Sequence, residues 1–214
     1  MDISRKLVLN VIFLVLLGSC SSDDLTSTDN PIIEPEADID LIIDGRYVVT
    51  MDLENTIISN GSVAIDDGVV IDVGTRKKIH NKYSSPEIID GSNRVVLPGL
   101  INGHGHAAMT LLRGVADDLS LMDWLTNYIF PAEVEFVDAE FVRIGTELAC
   151  WEMVRGGTTT FVDMYYFPDV IAEAVEGCGL RALISATVID QPGPDADNAD
   201  DSINKGIGFV ERWA

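Results

Sequence analysis

The residues best suited to chemistry in this sequence are two histidines one residue apart, His104 and His106, in a chain with only three histidines. They follow the apolar, β-branched run "VVLPGLIN", and Gly103 and Gly105 flank the first of them. Alternate residues of a strand face the same side, so both imidazoles should lie together at the strand's carboxyl end. Zinc takes neutral imidazole as a ligand at roughly 2.0–2.1 Å. The pair therefore predicts half of a metal site.

The elements that position the pair alternate between strand and helix from residue 98 onward. We expect a buried strand over 95–102, then strands at "TTTFVDMY" and "RALISATVID". Between them lie a short helix near "SLMDWLTNYIF", a helix from Asp138 to Gly156-Gly157, and one from Pro168 to Gly179; a last helix begins at Ser202. This order predicts parallel strands with right-handed crossovers. An eight-stranded barrel needs about 250 residues. The pattern leaves open whether the sheet is flat or closed; if it is closed, residues 98–214 are the first part of a (β/α)8 barrel, truncated after about three βα units.

Residues 38–97 have a different sequence pattern, in which short β-rich runs are separated by turn dipeptides. Asp44-Gly45, Asp67-Gly68 and Asp90-Gly91 are typical of hairpins or tight turns, because glycine adopts positive φ without steric cost. Five or six short strands at this spacing predict a small β-sandwich or open barrel. The fold class is therefore α/β, with this small β-sandwich domain in front of the barrel part.

The first twenty residues have the pattern of an export signal. Arg5 and Lys6 precede a 12-residue apolar run, Leu7 to Gly18, which is too short to cross a bilayer of roughly 30 Å as a helix. Leu17-Gly18-Ser19-Cys20 resembles a bacterial lipobox, in which the cysteine becomes the lipidated first residue. We therefore expect a lipoprotein signal peptide at 1–19, lipidation of Cys20, a flexible tether at 20–37, and an exported, membrane-anchored protein. An ordinary signal peptide is the alternative.

Composition excludes some partners and leaves others open. The formal charge of −21 argues against nucleic acid, whose phosphates require clustered Lys and Arg. Cys150 and Cys178 fall inside helical patterns with apolar neighbours, which favours free, packed thiols over a disulfide. An oligomer stays open.

The segment "LPGLINGHGHAAMTLLRGVADDLSLMDWL", with "IFPAE" and "GTTTFVDMY" after it, resembles the amidohydrolase superfamily. Within it the similarity is to the branch of 5-methylthioadenosine/S-adenosylhomocysteine deaminases and chlorohydrolases, and it runs from about Asp40 to Asp190. The resemblance implies that residues 98–214 are the first part of the family's (β/α)8 barrel. It also implies that His104 and His106 are the first two ligands of one divalent metal, usually zinc. It also implies that Glu133 binds the substrate, a small-molecule nucleoside, through its ribose hydroxyls.

The reaction that the resemblance implies is hydrolytic deamination of an aminopurine nucleoside. The family places two further histidines, a glutamate and an aspartate on later barrel strands, and no histidine follows His106 in this chain. No catalytic residue is therefore assigned, and we expect the 214-residue chain alone to be inactive. Family members with a substrate-binding arginine near the end of the third strand carry it where this chain has Ser185-Ala186-Thr187. A chlorohydrolase or another ring-substituent hydrolase, and a truncated non-catalytic lipoprotein, are the alternative functions.

Other polar residues near the pair have supporting roles in this interpretation. Asp163, at the end of the second strand, is expected to support the site structurally without binding the metal. Arg113, in the loop after the histidines, is expected to fix that loop by hydrogen bonds. Trp124 shares a helical face with Tyr128 and is expected to pack first and to line the pocket second. His80 is expected to be a solvated surface histidine.

Overall fold

Two larger sheets and one two-stranded pair organise the part of the chain described by the computed structural model, residue 35 and residues 37–213. The predicted signal peptide, Cys20 and nearly all of the predicted tether lie outside the described residues. No helix of the described residues is long and apolar enough to cross a membrane.

The first larger sheet has five strands and precedes the histidine pair. The elements of this part are β1 (Ala37–Asp38), β2 (Leu41–Val49), β3 (Ile57–Asp66), β4 (Val69–Thr75), α1 (Arg76–Lys82), β5 (Tyr83–Ser84), β6 (Glu87–Ile89) and β7 (Val95–Val96). The order in the sheet is β4-β3-β2-β6, and β7 also pairs with β2. The β2–β3 and β3–β4 pairs are antiparallel, whereas β6 and β7 run parallel to β2. β1 and β5 form a separate short parallel pair.

This part differs from the predicted sandwich. The described residues form one mixed sheet with the helix α1 against it, and the buried Ile79 of α1 packs with Ile42 and Ala64 of the sheet. The sandwich is therefore not confirmed. Asp67-Gly68 is a hairpin turn, as predicted, with φ of 48° and 72° between β3 and β4. Asp90-Gly91 begins a tight turn, in which the Ser92 N–H donates to Asp90 Oδ1 at 2.9 Å and the Arg94 N–H donates to the Gly91 oxygen at 2.8 Å.

Asp44-Gly45 was predicted as a turn, and this prediction is wrong because both residues lie inside the continuous strand β2. The buried carboxylate of Asp44 accepts hydrogen bonds from Ser62 Oγ at 2.5 Å and His80 Nε2 at 2.9 Å, and Arg76 lies 3.3 Å away. The prediction of a solvated His80 is therefore also wrong. These partners, 18 to 36 residues away, explain why Asp44 is buried in a strand.

The second larger sheet is three-stranded and parallel. The elements of this part are β8 (Leu100–Gly105), a 3₁₀ segment (Ala107–Leu112), α2 (Leu121–Trp124), a π-helical turn (Leu125–Ile129), α3 (Phe130–Phe136), α4 (Ala139–Gly156), β9 (Thr158–Tyr165), α5 (Pro168–Cys178), β10 (Arg181–Ala186) and α6 (Ala199–Trp213). The strand order is β10-β9-β8. Helices connect the strands, as the alternating pattern predicts, and the α/β class is confirmed.

The predicted strand over 95–102 is divided in two. Val95–Val96 pairs with β2 of the first sheet, and Leu100–Gly105 pairs with β9 of the second. Pro98 lacks the N–H that a ladder needs, and a Cβ on Gly99 would lie 2.2 Å from the Thr159 side chain. Because of the break at Pro98-Gly99, one apolar run contributes a strand to each of the two sheets.

The main core of the second part lies between β9 and the helices α4 and α5. Phe161 and Ile171 are fully buried there, with Cys150 of α4. Both Cys150 and Cys178 are free thiols, and burial raises the pKa of Cys150. This core fixes the carboxyl end of β9 next to that of β8.

Candidate metal and substrate site

The two imidazoles lie together at the carboxyl end of β8. Their ring centroids are 5.3 Å apart and the rings are nearly perpendicular, at 86°. The Nδ1 atom of His106 lies 2.7 Å from the main-chain oxygen of Met164 in β9. A carbonyl oxygen only accepts, so Nδ1 carries the proton and Nε2 of the neutral ring keeps its lone pair. His106 is therefore oriented and set in the tautomer that a metal ligand needs.

Asp163 lies directly behind the histidine pair and is completely buried. Its Oδ1 accepts a hydrogen bond of 2.9 Å from the main-chain N–H of Ala107, the residue after His106. Its Oδ2 is buried without a hydrogen-bond partner among the described residues. Burial raises the pKa of Asp163, while the hydrogen bond from the Ala107 N–H lowers it. The position agrees with the supporting role expected for Asp163.

The loop after the histidines is fastened to α4. The guanidinium of Arg113 donates to both carboxylate oxygens of Glu152, at 3.0 and 2.7 Å. The same loop has three residues with positive φ: Gly114 (81°), Ala116 (108°) and Asp118 (61°). Together with His104 and His106, it lines a cavity of about 400 Å³.

Glu133 is brought to the site by a helical segment that changes type along its length. Ser120 caps α2, and a π-helical turn follows in which the Phe130 N–H donates to the Leu125 oxygen, five residues earlier. Pro131 lacks an N–H, which favours a local rearrangement of the helix. In α3, Glu133 then faces inward with only 4% of its surface exposed. Both of its carboxylate oxygens accept hydrogen bonds from buried tyrosines, Tyr165 at 2.8 Å and Tyr166 at 3.2 Å.

A second cavity, of about 220 Å³, is lined by both Glu133 and His106. His106 lines both this cavity and the larger one. Burial raises the pKa of Glu133, whereas the hydrogen bonds from the two tyrosine hydroxyls lower it. The remaining walls are mostly apolar and come from Met109, Trp124, Leu125, Ile129, Phe130, Met164, Thr187 and Ile189. One cavity thus has a histidine at one end and a buried carboxylate at another.

The donor set fits a divalent metal in part. His104 and His106 offer two imidazoles, and Asp163, whose Oδ2 has no partner among the described residues, lines a cavity with them. No group of three or more His, Cys, Asp or Glu side chains that could hold a metal exists within residues 37–213. The described residues therefore offer two candidate metal ligands, His104 and His106, whereas zinc usually takes four.

The structure brings some of the predicted site residues together and leaves one of them apart. His106, Glu133 and Trp124 line one cavity, and Asp163 supports the pair from behind. Tyr128 does not line either cavity and is 45% exposed. Tyr165 and Tyr166 were missed, although their place in "FVDMYY", at the carboxyl end of a barrel-type strand, is a signal that could have identified them.

The profile of the amidohydrolase family matches residues 95–213, more than half of the chain, and the chain belongs to this family. The chain is 44% identical over 174 residues to a 5-methylthioadenosine/S-adenosylhomocysteine deaminase from Thermodesulfovibrio yellowstonii. This matched stretch covers 80% of this chain and 40% of that protein. The chain is 45% identical over 174 residues to a 5'-deoxyadenosine deaminase from Methanosarcina mazei, covering 81% and 39%. The chain thus spans about 40% of the length of the curated relatives it matches.

Solved structures agree with the fold. The chain resembles the zinc-bound crystal structure of an adenosine deaminase from Xanthomonas campestris, with a TM-score of 0.80 and 37% identity over 84% of this chain and 41% of that one. A triazine hydrolase from Arthrobacter aurescens has the same fold, with a TM-score of 0.72 at 20% identity, over 81% and 43% of the two chains.

Proposed function

We propose that this chain belongs to a metal-dependent hydrolase that removes the amino group of an adenine nucleoside, such as methylthioadenosine, S-adenosylhomocysteine or adenosine. The observation that carries this proposal is the cavity in which His106, set in the ligating tautomer, lies with the buried carboxylate of Glu133. The deaminase names of relatives about 44% identical support it.

The histidine pair, Glu133 and the apolar walls of the cavity have separate roles in this reaction. His104 and His106 hold one divalent ion, zinc by likeness to the zinc-bound deaminase. Such an ion would supply Lewis acidity that makes water a nucleophile near neutral pH. Glu133 accepts hydrogen bonds from the ribose hydroxyls, since a carboxylate offers acceptors on both oxygens. The apolar walls hold the purine and exclude bulk water.

The two imidazoles are half of the coordination set, so the chain by itself is proposed to bind zinc and nucleoside without turnover. Further ligands and a proton-transferring carboxylate are needed for reaction. This step rests on the number of donors within the described residues.

A fusion protein tests the activity. The chain is joined to the remaining part of the Thermodesulfovibrio yellowstonii deaminase, and hydrolysis is followed by the ultraviolet change from adenine to hypoxanthine. The expected result is turnover of methylthioadenosine or adenosine that depends on His104 and His106. A folded, zinc-loaded fusion that leaves all three nucleosides unchanged contradicts the proposal. A 6-chloropurine nucleoside assayed in parallel separates the deaminase from a hydrolase that prefers chloride as leaving group.

We propose in addition that the protein is exported and anchored to a membrane by a lipid on Cys20. The sequence Leu17-Gly18-Ser19-Cys20 after a short apolar run supports this. Expression in a bacterial host followed by detergent phase partitioning tests it, with Cys20→Ser as the control. The wild type should enter the detergent phase and Cys20→Ser should not; a wild type that stays in the aqueous phase contradicts the anchor.

A further inference from the structure

Tyr165 and Tyr166 are adjacent in sequence, and both donate a hydrogen bond to the same carboxylate. Their hydroxyls lie 2.8 Å and 3.2 Å from Oε1 and Oε2 of Glu133. All three side chains are buried, with 4%, 6% and 4% of their surfaces exposed. The rings contact each other edge to face, with centroids 5.0 Å apart. Each oxygen of the carboxylate thus has its own phenol donor.

Tyr165 and Tyr166 can both reach Glu133 only because the chain leaves the strand at this point. Successive residues of a strand point to opposite faces, and β9 ends at Tyr165. Two residues later, Phe167 adopts the left-handed conformation, with φ 55° and ψ 56°, which is costly for a bulky side chain. Its N–H donates to Asp195 Oδ2 at 2.7 Å, and this contact secures the turn. The backbone therefore bears strain at the point that turns Tyr166 toward Glu133.

The loop that holds this turn also packs on Tyr166. A Cβ on Gly193 would lie only 3.2 Å from the Tyr166 ring, so the loop lies directly on that ring. Tyr166 is thereby fixed from outside, while Tyr165 is fixed by the strand.

The hydrogen-bond donors and acceptors of the cluster of Glu133, Tyr165 and Tyr166 decide which ligand groups it can bind. A tyrosine hydroxyl has one proton and two acceptor lone pairs, and an ionised carboxylate has acceptors only. Because both phenol protons point to Glu133, the cluster offers acceptors and no donors to the cavity. It suits a ligand with hydroxyl donors and opposes one that presents a carboxylate or phosphate there.

We propose that Tyr165 and Tyr166 are positioning residues that hold Glu133 as an acceptor-only site for two adjacent hydroxyl groups of the ligand. The inference rests on the proposed function, in which a nucleoside supplies that pair of hydroxyls. Burial raises the pKa of Glu133, and the two phenols oppose this by stabilising the carboxylate. The other titratable groups near the cluster are His106 beside Glu133, Asp163 beside Tyr165 and Asp195 beside Tyr166.

The ligand test compares adenosine with 2',3'-dideoxyadenosine, which lacks both hydroxyls, by calorimetric titration of the full chain. Tyr165→Phe and Tyr166→Phe should each weaken adenosine binding about tenfold, since a hydrogen bond to a charged group is lost. Binding of the dideoxy compound should not change. Tyr128→Phe, which alters an exposed tyrosine outside the cavity, is the matched control. Equal weakening of both nucleosides, or a wild type that does not discriminate between them, overturns the inference.

A second measurement does not need a nucleoside. In protein labelled with ¹³C at the glutamate carboxyl, the signal of Glu133 is assigned by its loss in Glu133→Gln and titrated with pH. Each Tyr→Phe variant should raise the pKa of Glu133, and Tyr165→Phe should raise it more because its bond is shorter. An unchanged titration overturns the positioning role. Failure of the proposed function is recognised separately, by absence of turnover in the zinc-loaded fusion.

Discussion

The Nδ1 atom of His106 donates a 2.7 Å hydrogen bond to the main-chain oxygen of Met164, across two adjacent parallel strands. The partner is a backbone atom, so the orientation of this imidazole depends on strand pairing and not on the rotamer of another side chain. The sheet itself thereby sets the tautomer that exposes Nε2.

His106→Asn separates the two ring nitrogens. The asparagine amide can occupy the place of Nδ1 and donate to Met164 O, but it has no atom at the place of Nε2. We expect the fold to be retained and the affinity for Zn²⁺ to fall by about tenfold or more, measured by competition with a chromophoric chelator. His80→Asn, in the other sheet, is the control and should leave zinc affinity unchanged. Wild-type affinity in His106→Asn would show that this histidine is not a ligand.

Gly145 of α4 positions the segment that follows the histidines. A Cβ there would lie 2.4 Å from the main-chain oxygen of Ala108, and Thr110 Oγ1 donates to the Gly145 oxygen at 2.8 Å. Gly145→Ala is therefore expected to lower the free energy of unfolding by about 1–3 kcal/mol and to weaken zinc binding, because backbone must move.

Gly156→Ala is the matched control for this substitution. It lies in the same helix and has no atom within 4 Å of the added methyl. Urea denaturation should find it neutral or up to about 1 kcal/mol more stable, through helix propensity. If Gly145→Ala behaves in the same way, α4 does not constrain the site as the distances indicate.

Local signals in the sequence predict the elements around the site well. Asp138 accepts from the Phe141 N–H at 2.8 Å and begins α4, and Gly157 and Gly179 end helices in the left-handed conformation, as predicted. β9 has the predicted bounds. These features depend on residues within one turn of each other, which is why a sequence pattern reveals them.

Structural features that depend on partners far away in the sequence could not be predicted from local sequence patterns. The large apolar residues that identify α4, such as Ile144 and Trp151, are exposed, while Gly145 and Thr146 form its buried face. The placement of Glu133 between Tyr165 and Tyr166 joins residues more than 30 positions apart. Whether such groups meet is decided by packing of whole elements, not by local spacing.

The buried Asp44 provides a test of the first sheet. It pairs with Ser62, His80 and Arg76, and the Nε atom of Arg76 is buried without a partner among the described residues. Asp44→Asn removes the charge that these donors surround and should cost about 2 kcal/mol of unfolding free energy, less than a fully buried pair because Arg76 and His80 are about a third exposed.

Asp90→Asn is the control for Asp44→Asn, because Asp90 faces the same arginine at 3.8 Å with an exposed side chain. It should change the free energy of unfolding by less than about 0.5 kcal/mol. Equal effects of the two substitutions in urea denaturation would show that burial of Asp44 does not matter to stability.

Glu133 should make stability depend on pH in the opposite sense to a salt-bridged carboxylate. Burial raises its pKa above the usual value of 4.5, so the native chain holds this proton more tightly than the unfolded chain. Stability therefore falls as pH rises from about 4.5 through the native pKa, and the full cost of the buried charge is present above it.

Glu133→Gln removes this cost while Tyr165 can still donate to the amide oxygen. Urea denaturation across the pH range measures the free energy of unfolding of both proteins. We expect the variant to be as stable as the wild type below pH 4.5 and to gain stability relative to it as pH rises. Near neutral pH the variant should be at least as stable as the wild type. Asp163 has a pKa shift of the same sign, but its contribution cancels in the comparison. The same variant should bind adenosine more weakly, so that the carboxylate serves binding at the expense of stability. A Glu133→Gln chain less stable than wild type near neutral pH would instead show that the two tyrosine hydrogen bonds outweigh the cost of burying the charge.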